Sequence, residues 1–305
     1  MHDQLPVAFV LGSGGYQAHV EIGMLAALVE AGVRPDIVVG ASAGGWTGAV
    51  FATSPDHRGL TAVRNLWCEM LTSPRIGGSL SRLVLGLASP AVQADRQAAM
   101  RAAFGHHLTV ADFDRLPVRF SCSGLEVGTG VNRWFGDGPL VPAMLAAAAL
   151  PGVVAPARID GRLYIDGGLL DPLPLTQAAA LGARTIYALP VTDLRPPLRP
   201  AALLREVVPV AALMLARFGV ACAALPDDVT VRLLPVGDPD GATGARLGLT
   251  LGGLVHGDPL TRAQRGIDLA YQATARYLHD LRSDCPGRSA MPVPPGHQAT
   301  FEEPR

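Results

Sequence analysis

The chain has 305 residues, 49% hydrophobic and 17% charged, with a formal net charge of -1. That much apolar material fills one large core and excludes a disordered polypeptide. The near-neutral balance excludes the basic footprint of a nucleic-acid binder. All 25 basic residues are Arg. The four cysteines, Cys68, Cys122, Cys222 and Cys285, stand far apart and read as reduced thiols. No Cys/His group has zinc-site spacing, and no metal or cofactor is expected.

Met1 to Gln4 lead straight into an apolar run without a charged region or cleavage site, so no signal peptide is expected. Val7 to Leu11 reads as a buried strand that stops at Gly12-Ser13-Gly14-Gly15. His19 to Ala31 follows as a helix, with Gly32 as its stop. Ile37 to Val39 is a second buried strand. Gly40 to Gly45 is a second glycine-rich turn, and Trp46 to Phe51 starts another helix. Strand, loop, helix, repeated, is the pattern of a parallel α/β sheet. Val118 to Cys122, Leu163 to Ile165, Thr185 to Leu189 and Val229 to Leu234 are expected to continue it. Ala91 to Phe104, Thr176 to Leu181 and Ala263 to Leu281 are expected as helices.

Two apolar stretches raise the question of a membrane span. Pro139 to Ala157 is interrupted by Pro142, Pro151 and Pro156, and Val207 to Leu225 contains Pro209 and Arg217. Neither gives a clean run of roughly 20 residues. Leu203 to Leu225 reads as a core-packing helix, with a lid or a surface lipid contact as the alternatives. Residues 4–284 are expected to form one domain and residues 285–305 a disordered tail.

Three turns carry candidate chemistry. Gly40-Ala41-Ser42-Ala43-Gly44 matches G-x-S-x-G at a strand-to-helix junction. Small neighbours there let a tight turn close and let an ester approach the serine hydroxyl. Gly12 to Gln17 lacks the third glycine of a dinucleotide fingerprint and the lysine of a P-loop. It remains a candidate oxyanion hole, with N–H donors from Gly14 and Gly15. Asp166-Gly167-Gly168 ends a strand, at the edge where open α/β sheets build their sites. Each turn alone also reads as a plain glycine-supported connection.

Together, in this order and spacing, the three turns resemble the patatin-like phospholipase family over roughly residues 5–282. Leu11 to Ala18 running on to Leu25 resembles its oxyanion segment, Gly40 to Gly45 its nucleophile turn, and Asp160 to Pro174 its aspartate motif. The resemblance implies a three-layer α/β/α fold with a mostly parallel central sheet. It also implies a Ser42–Asp166 dyad without a catalytic histidine, and an oxyanion hole of Gly14, Gly15 and Ala43. Gly12, Gly40, Gly44, Gly167 and Gly168 are its motif glycines. The implied activity is lipid acyl-ester hydrolysis with no cofactor, and a peripheral membrane contact is open to it; a cytoplasmic location is expected only from the missing signal peptide. Gln17 stands where the family usually has Arg or Lys, and Ala18 where it has Gly, which weakens the case for an anionic phospholipid headgroup. Tyr16 replaces a small residue and narrows the expected pocket. Other readings remain: an acyltransferase using the same Ser42 acyl-enzyme, a catalytically weak lipid-binding protein, or a Ser42–Asp166–His256 triad in an α/β-hydrolase.

Overall fold

The computed structural model describes residues 5–77, 89–191, 224–237 and 258–283. His256, Cys222, Cys285, the tail and nearly all of the Leu203 to Leu225 stretch lie outside them. The described strands are β1 (Val7–Leu11), β2 (Ile37–Gly40), β3 (Arg119–Glu126), β4 (Val131–Phe135), β5 (Ala157–Ile159), β6 (Arg162–Asp166), β7 (Thr185–Leu189) and β8 (Thr230–Leu233). The helices are α1 (Val20–Glu30), α2 (Ala43–Ala52), α3 (His57–Thr72), α4 (Pro90–His107), α5 (Leu140–Ala148), α6 (Leu175–Ala180) and α7 (Pro259–Ser283).

β3, β2, β1, β7 and β8 run parallel in that order. β1 and β2 are continuous apolar runs because both sheet faces are covered. Phe9, Leu11 and Val38 pack into the larger core with α1 and α2. Ala8, Val10 and Val39 point the other way, into a smaller core with Leu175 and Ala178 of α6. Helices on both faces make the expected layered α/β/α arrangement.

One expected strand runs the other way. Leu163 to Ile165 lies in β6, which is antiparallel to β3 and to β5. The reason is local. β5 and β6 are joined by Asp160-Gly161, both at positive φ (49° and 78°), a tight hairpin turn that leaves no room for the crossover a parallel strand needs.

This reversal positions the candidate site. Cys122 of β3 pairs with Gly40 of β2 and with Phe135 of β4, so β2 and β4 occupy opposite edges of β3. Gly124 pairs with Arg133 of β4 and with Asp166 of β6, so β6 lies on the same edge as β2, just beyond its end. β2 rising and β6 descending therefore meet head to head. Their final residues bring Ser42 and Asp166 together from opposite directions.

α5, within the apolar Pro139 to Ala157 stretch, is a nine-residue buried helix that packs on α2, β3 and β6. Among the described residues no helix is long and apolar enough to cross a membrane.

Candidate active site

Ser42 is the residue before the first turn of α2 and holds φ 54°, ψ −124°. A non-glycine residue seldom adopts positive φ, and such a conformation costs roughly 1–3 kcal/mol. The turn closes because Gly40 and Gly44 lack side chains. A Cβ on Gly40 would lie 2.2 Å from the Gly44 carbonyl oxygen. One on Gly44 would lie 2.6 Å from the Leu11 carbonyl, at the end of β1. The serine turn is thus seated directly on the first glycine loop, and the Ala41 N–H donates to Leu11 O at 3.1 Å.

Ser42 Oγ donates to Asp166 Oδ2 at 2.6 Å. Both residues are buried, at 8% and 3% exposure. Asp166 Oδ1 accepts the Gly168 N–H at 2.8 Å. Burial pushes the Asp166 carboxyl up from 3.8 to about 6, and the bonds from Ser42 and Gly168 partly oppose the rise. The group is ionised at neutral pH and more basic than an ordinary carboxylate.

The third turn closes on the other two. A Cβ on Gly168 would stand 2.8 Å from Ser13 Oγ and 2.9 Å from Ser42 Cβ. One on Gly167 would strike Ser123 Oγ at 2.4 Å. These contacts join Gly12, Gly40, Ser42, Gly44, Asp166 and Gly168, with Ala43 next to Ser42 and Gly167 next to Asp166; Gly14 and Gly15 follow Gly12 and Ser13 in the first glycine loop. Gly15 takes positive φ at the start of a 3-10 turn, Gly15–His19. Ala43 begins α2, so its N–H belongs to the positive end of that helix. Tyr16 is engaged elsewhere: its hydroxyl donates to Ile76 O at 2.6 Å, just beyond α3.

Two supporting residues escaped the sequence reading. Asn132, on β4, donates from Nδ2 to Gly167 O at 3.0 Å. Glu21, on α1, is fully buried and accepts the Gly12 N–H on Oε1 at 2.7 Å. Burial holds its carboxyl well above the usual glutamate range. The signal for Glu21 was present: it is the one acidic residue within an otherwise apolar stretch, Val20 to Val29. Asn132 gave no signal, because its strand alternates exposed and half-buried residues.

The sequence profile described as Patatin-like phospholipase matches residues 9–179. An uncharacterized NTE family protein of Mycobacterium tuberculosis is 33% identical over 180 residues, 58% of this chain and 46% of the relative. Patatin-like phospholipase domain-containing protein 7 of Rattus norvegicus is 27% identical over 187 residues, 61% of this chain and 13% of the relative. The chain spans less than half the length of these curated relatives. Among solved structures, human GIVD cytosolic phospholipase A2 is 14% identical, with a TM-score of 0.49, covering 93% of this chain and 60% of that one. The profile match takes in more than half of the 305 residues, and the chain belongs to the patatin-like phospholipase family.

Proposed function

We propose that this chain is a serine acyl hydrolase of lipid carboxylic esters, with Ser42 as nucleophile and Asp166 as general base. The observation that carries the reading is the 2.6 Å bond from Ser42 Oγ to Asp166 Oδ2 between two buried side chains. As Ser42 Oγ attacks the ester carbonyl carbon, its proton passes to Asp166 Oδ2. The carbonyl π pair moves onto oxygen, and the N–H groups of Gly14 and Gly15, with Ala43, receive that charge. Collapse of the tetrahedral intermediate expels the alcohol, which takes the proton back from Asp166 and leaves an acyl-Ser42. Water, deprotonated by Asp166, then cleaves the acyl-enzyme and returns Ser42 to its starting state.

The carboxyl near 6 makes a one-carboxylate mechanism workable at neutral pH. A base of ordinary acidity is poorly matched to a serine hydroxyl, whereas one near the working pH transfers the proton at lower cost. The mechanism uses no histidine. The named relatives support lipid esters as the substrate class. Acyl transfer to an alcohol acceptor uses the same acyl-Ser42 and differs only in what attacks it.

The test is turnover of medium-chain p-nitrophenyl esters and phospholipid vesicles, with mass spectrometry after a fluorophosphonate probe. Labelling at Ser42, lost together with turnover in Ser42→Ala, is the expected result. Turnover that persists in Ser42→Ala or Asp166→Asn sinks the dyad. Loss of turnover in His256→Ala with intact folding redirects it to a triad.

A further inference from the structure

On the side of the molecule formed by α3 and α4, folding assembles a group that residue spacing conceals. Glu69 lies in the last turn of α3, and His106 and His107 end α4. Glu69 Oε2 stands 2.9 Å from His107 Nε2 and 3.8 Å from His106 Nδ1. One donor atom from each residue lies within 4.8 Å of the other two. The two imidazole centroids are 4.8 Å apart.

These separations suit one small ion. Ligand atoms around tetrahedral zinc, at about 2.0–2.1 Å from the metal, are roughly 3.3 Å from one another. The two O–N distances fall within about half an ångström of that value on either side, and the two imidazole nitrogens lie within 4.8 Å of each other, a span that rotation of the exposed His106 side chain can shorten. Two imidazoles and one carboxylate select a borderline transition metal over calcium or magnesium, which favour all-oxygen shells. The carbonyl end of α4 adds negative potential at the same place. His107 is largely buried, with 12% of its side chain exposed, while His106 is 78% exposed. A metal here would have one largely buried ligand, His107, already bonded to a partly exposed Glu69, and an exposed His106 that closes from solvent, leaving a fourth position for water.

We propose that Glu69, His106 and His107 form a divalent transition-metal site, zinc by its ligand set, that clamps the end of α3 to the end of α4. Both helices brace the candidate active site from behind. The Ile76 carbonyl, just past α3, receives the Tyr16 hydroxyl from the first glycine loop. Arg96 and Gln97 of α4 donate to the carbonyls of Val153 and Ala155, on the segment that leads into β5 and β6. The clamp acts on the scaffold and takes no part in the chemistry, so its readouts are binding and thermal stability.

The full chain, stripped with a chelator, is titrated calorimetrically with zinc at pH 7.5, and with cobalt(II) while its visible absorption is followed. The expected result is one zinc per chain at roughly micromolar affinity, an intense low-coordinate cobalt band, and a higher Tm with metal. His106→Gln and Glu69→Gln are each expected to weaken binding about tenfold or more and to remove the Tm rise. His106 is exposed, so its substitution leaves the fold intact. His279→Gln, at another exposed histidine–carboxylate pair, controls for adventitious binding and is expected to bind as wild type. No zinc bound at 100-fold excess over protein, or equal binding by wild type and His106→Gln, overturns the site.

Discussion

A single peptide unit links Asn132 to Asp166. The carbonyl of Gly167 accepts from Asn132 Nδ2, and the N–H across that same peptide bond, on Gly168, donates to Asp166 Oδ1. A hydrogen bond on one end of an amide polarises the other, so Asn132 strengthens the donor that supports the carboxylate. The Gly167 carbonyl also accepts the N–H groups of Leu170 and Asp171, which keep the turn in place without Asn132. Asn132→Ala is therefore expected to fold normally and to leave KM almost unchanged. Its kcat falls about 3–30-fold, the equivalent of one net hydrogen bond or somewhat more. With the carboxylate less supported, the acid limb of the pH–rate profile moves upward. An unchanged limb with a raised KM would instead place Asn132 in substrate binding.

For wild type, the limb itself is a prediction. As the proposed base, Asp166 acts only when ionised, so kcat/KM is expected to fall with unit slope below about pH 6, where its buried carboxyl protonates. An ordinary exposed carboxylate would put the midpoint near pH 4. Asp166→Asn is expected to lose about 10²–10⁴-fold in kcat while raising Tm at pH 7.5. The folded state binds this proton more tightly than the unfolded chain, so the wild-type residue costs stability as pH rises through about 4 to 6. A Tm for Asp166→Asn below wild type at pH 7.5 contradicts that balance.

Which parts of this molecule the sequence discloses follows from how burial is written into it. β1 and β2 are apolar throughout because both faces are covered, and a five-residue apolar run ending in glycine is hard to misread. The direction of β6 is not encoded in Leu163-Tyr164-Ile165, since a buried strand looks alike from either end. The information sits in the Asp160-Gly161 turn before it. α5 is obscured by Pro142, which reads as an interruption but stands in the first turn, where a missing N–H loses nothing. α3 is apolar on one face only, Leu60, Val63, Leu66, Trp67 and Met70, so a search for continuous apolar runs passes over it. The candidate active-site turns were legible because glycines such as Gly40, Gly44 and Gly168 are required by contact. Asn132 and the Glu69–His106–His107 group were not, because nothing local constrains them.

The contact at Gly168 gives a steric test. Gly168→Ala places a methyl group within 3 Å of both Ser13 Oγ and Ser42 Cβ. Relief requires the aspartate turn to withdraw from the serine turn, lengthening the 2.6 Å Ser42–Asp166 bond. A displacement of about 1 Å at a catalytic pair costs on the order of 10²-fold in rate. Gly168→Ala is expected to show such a loss together with much slower fluorophosphonate labelling, while circular dichroism stays native. Labelling at the wild-type rate would show that the pair tolerates the added carbon.

Glu21 yields a prediction that separates support from catalysis. Its side chain is wholly buried, Oε1 holds the Gly12 N–H, and Oε2 has no hydrogen-bond partner. Desolvation raises its carboxyl well above the usual range, so the folded protein keeps this proton at pH values where the unfolded chain has released it. Stability on this account is greatest below the ordinary glutamate value, about 4.3, and declines as pH rises toward the folded value. Glu21→Gln retains an oxygen for Gly12 and never ionises. Its Tm is expected to match wild type near pH 4.5 and to exceed it increasingly as pH rises from there, with turnover close to wild type. Glu21→Leu loses the acceptor, but the Gly12 N–H still reaches Leu189 O at 3.1 Å, so the cost is held to about 1 kcal/mol. Comparing the Tm–pH curves of wild type and Glu21→Gln cancels the contribution of Asp166, which both proteins share. Parallel curves would mean that Glu21 is ionised in the folded state, and that the first glycine loop rests on a buried carboxylate instead of a buried acid.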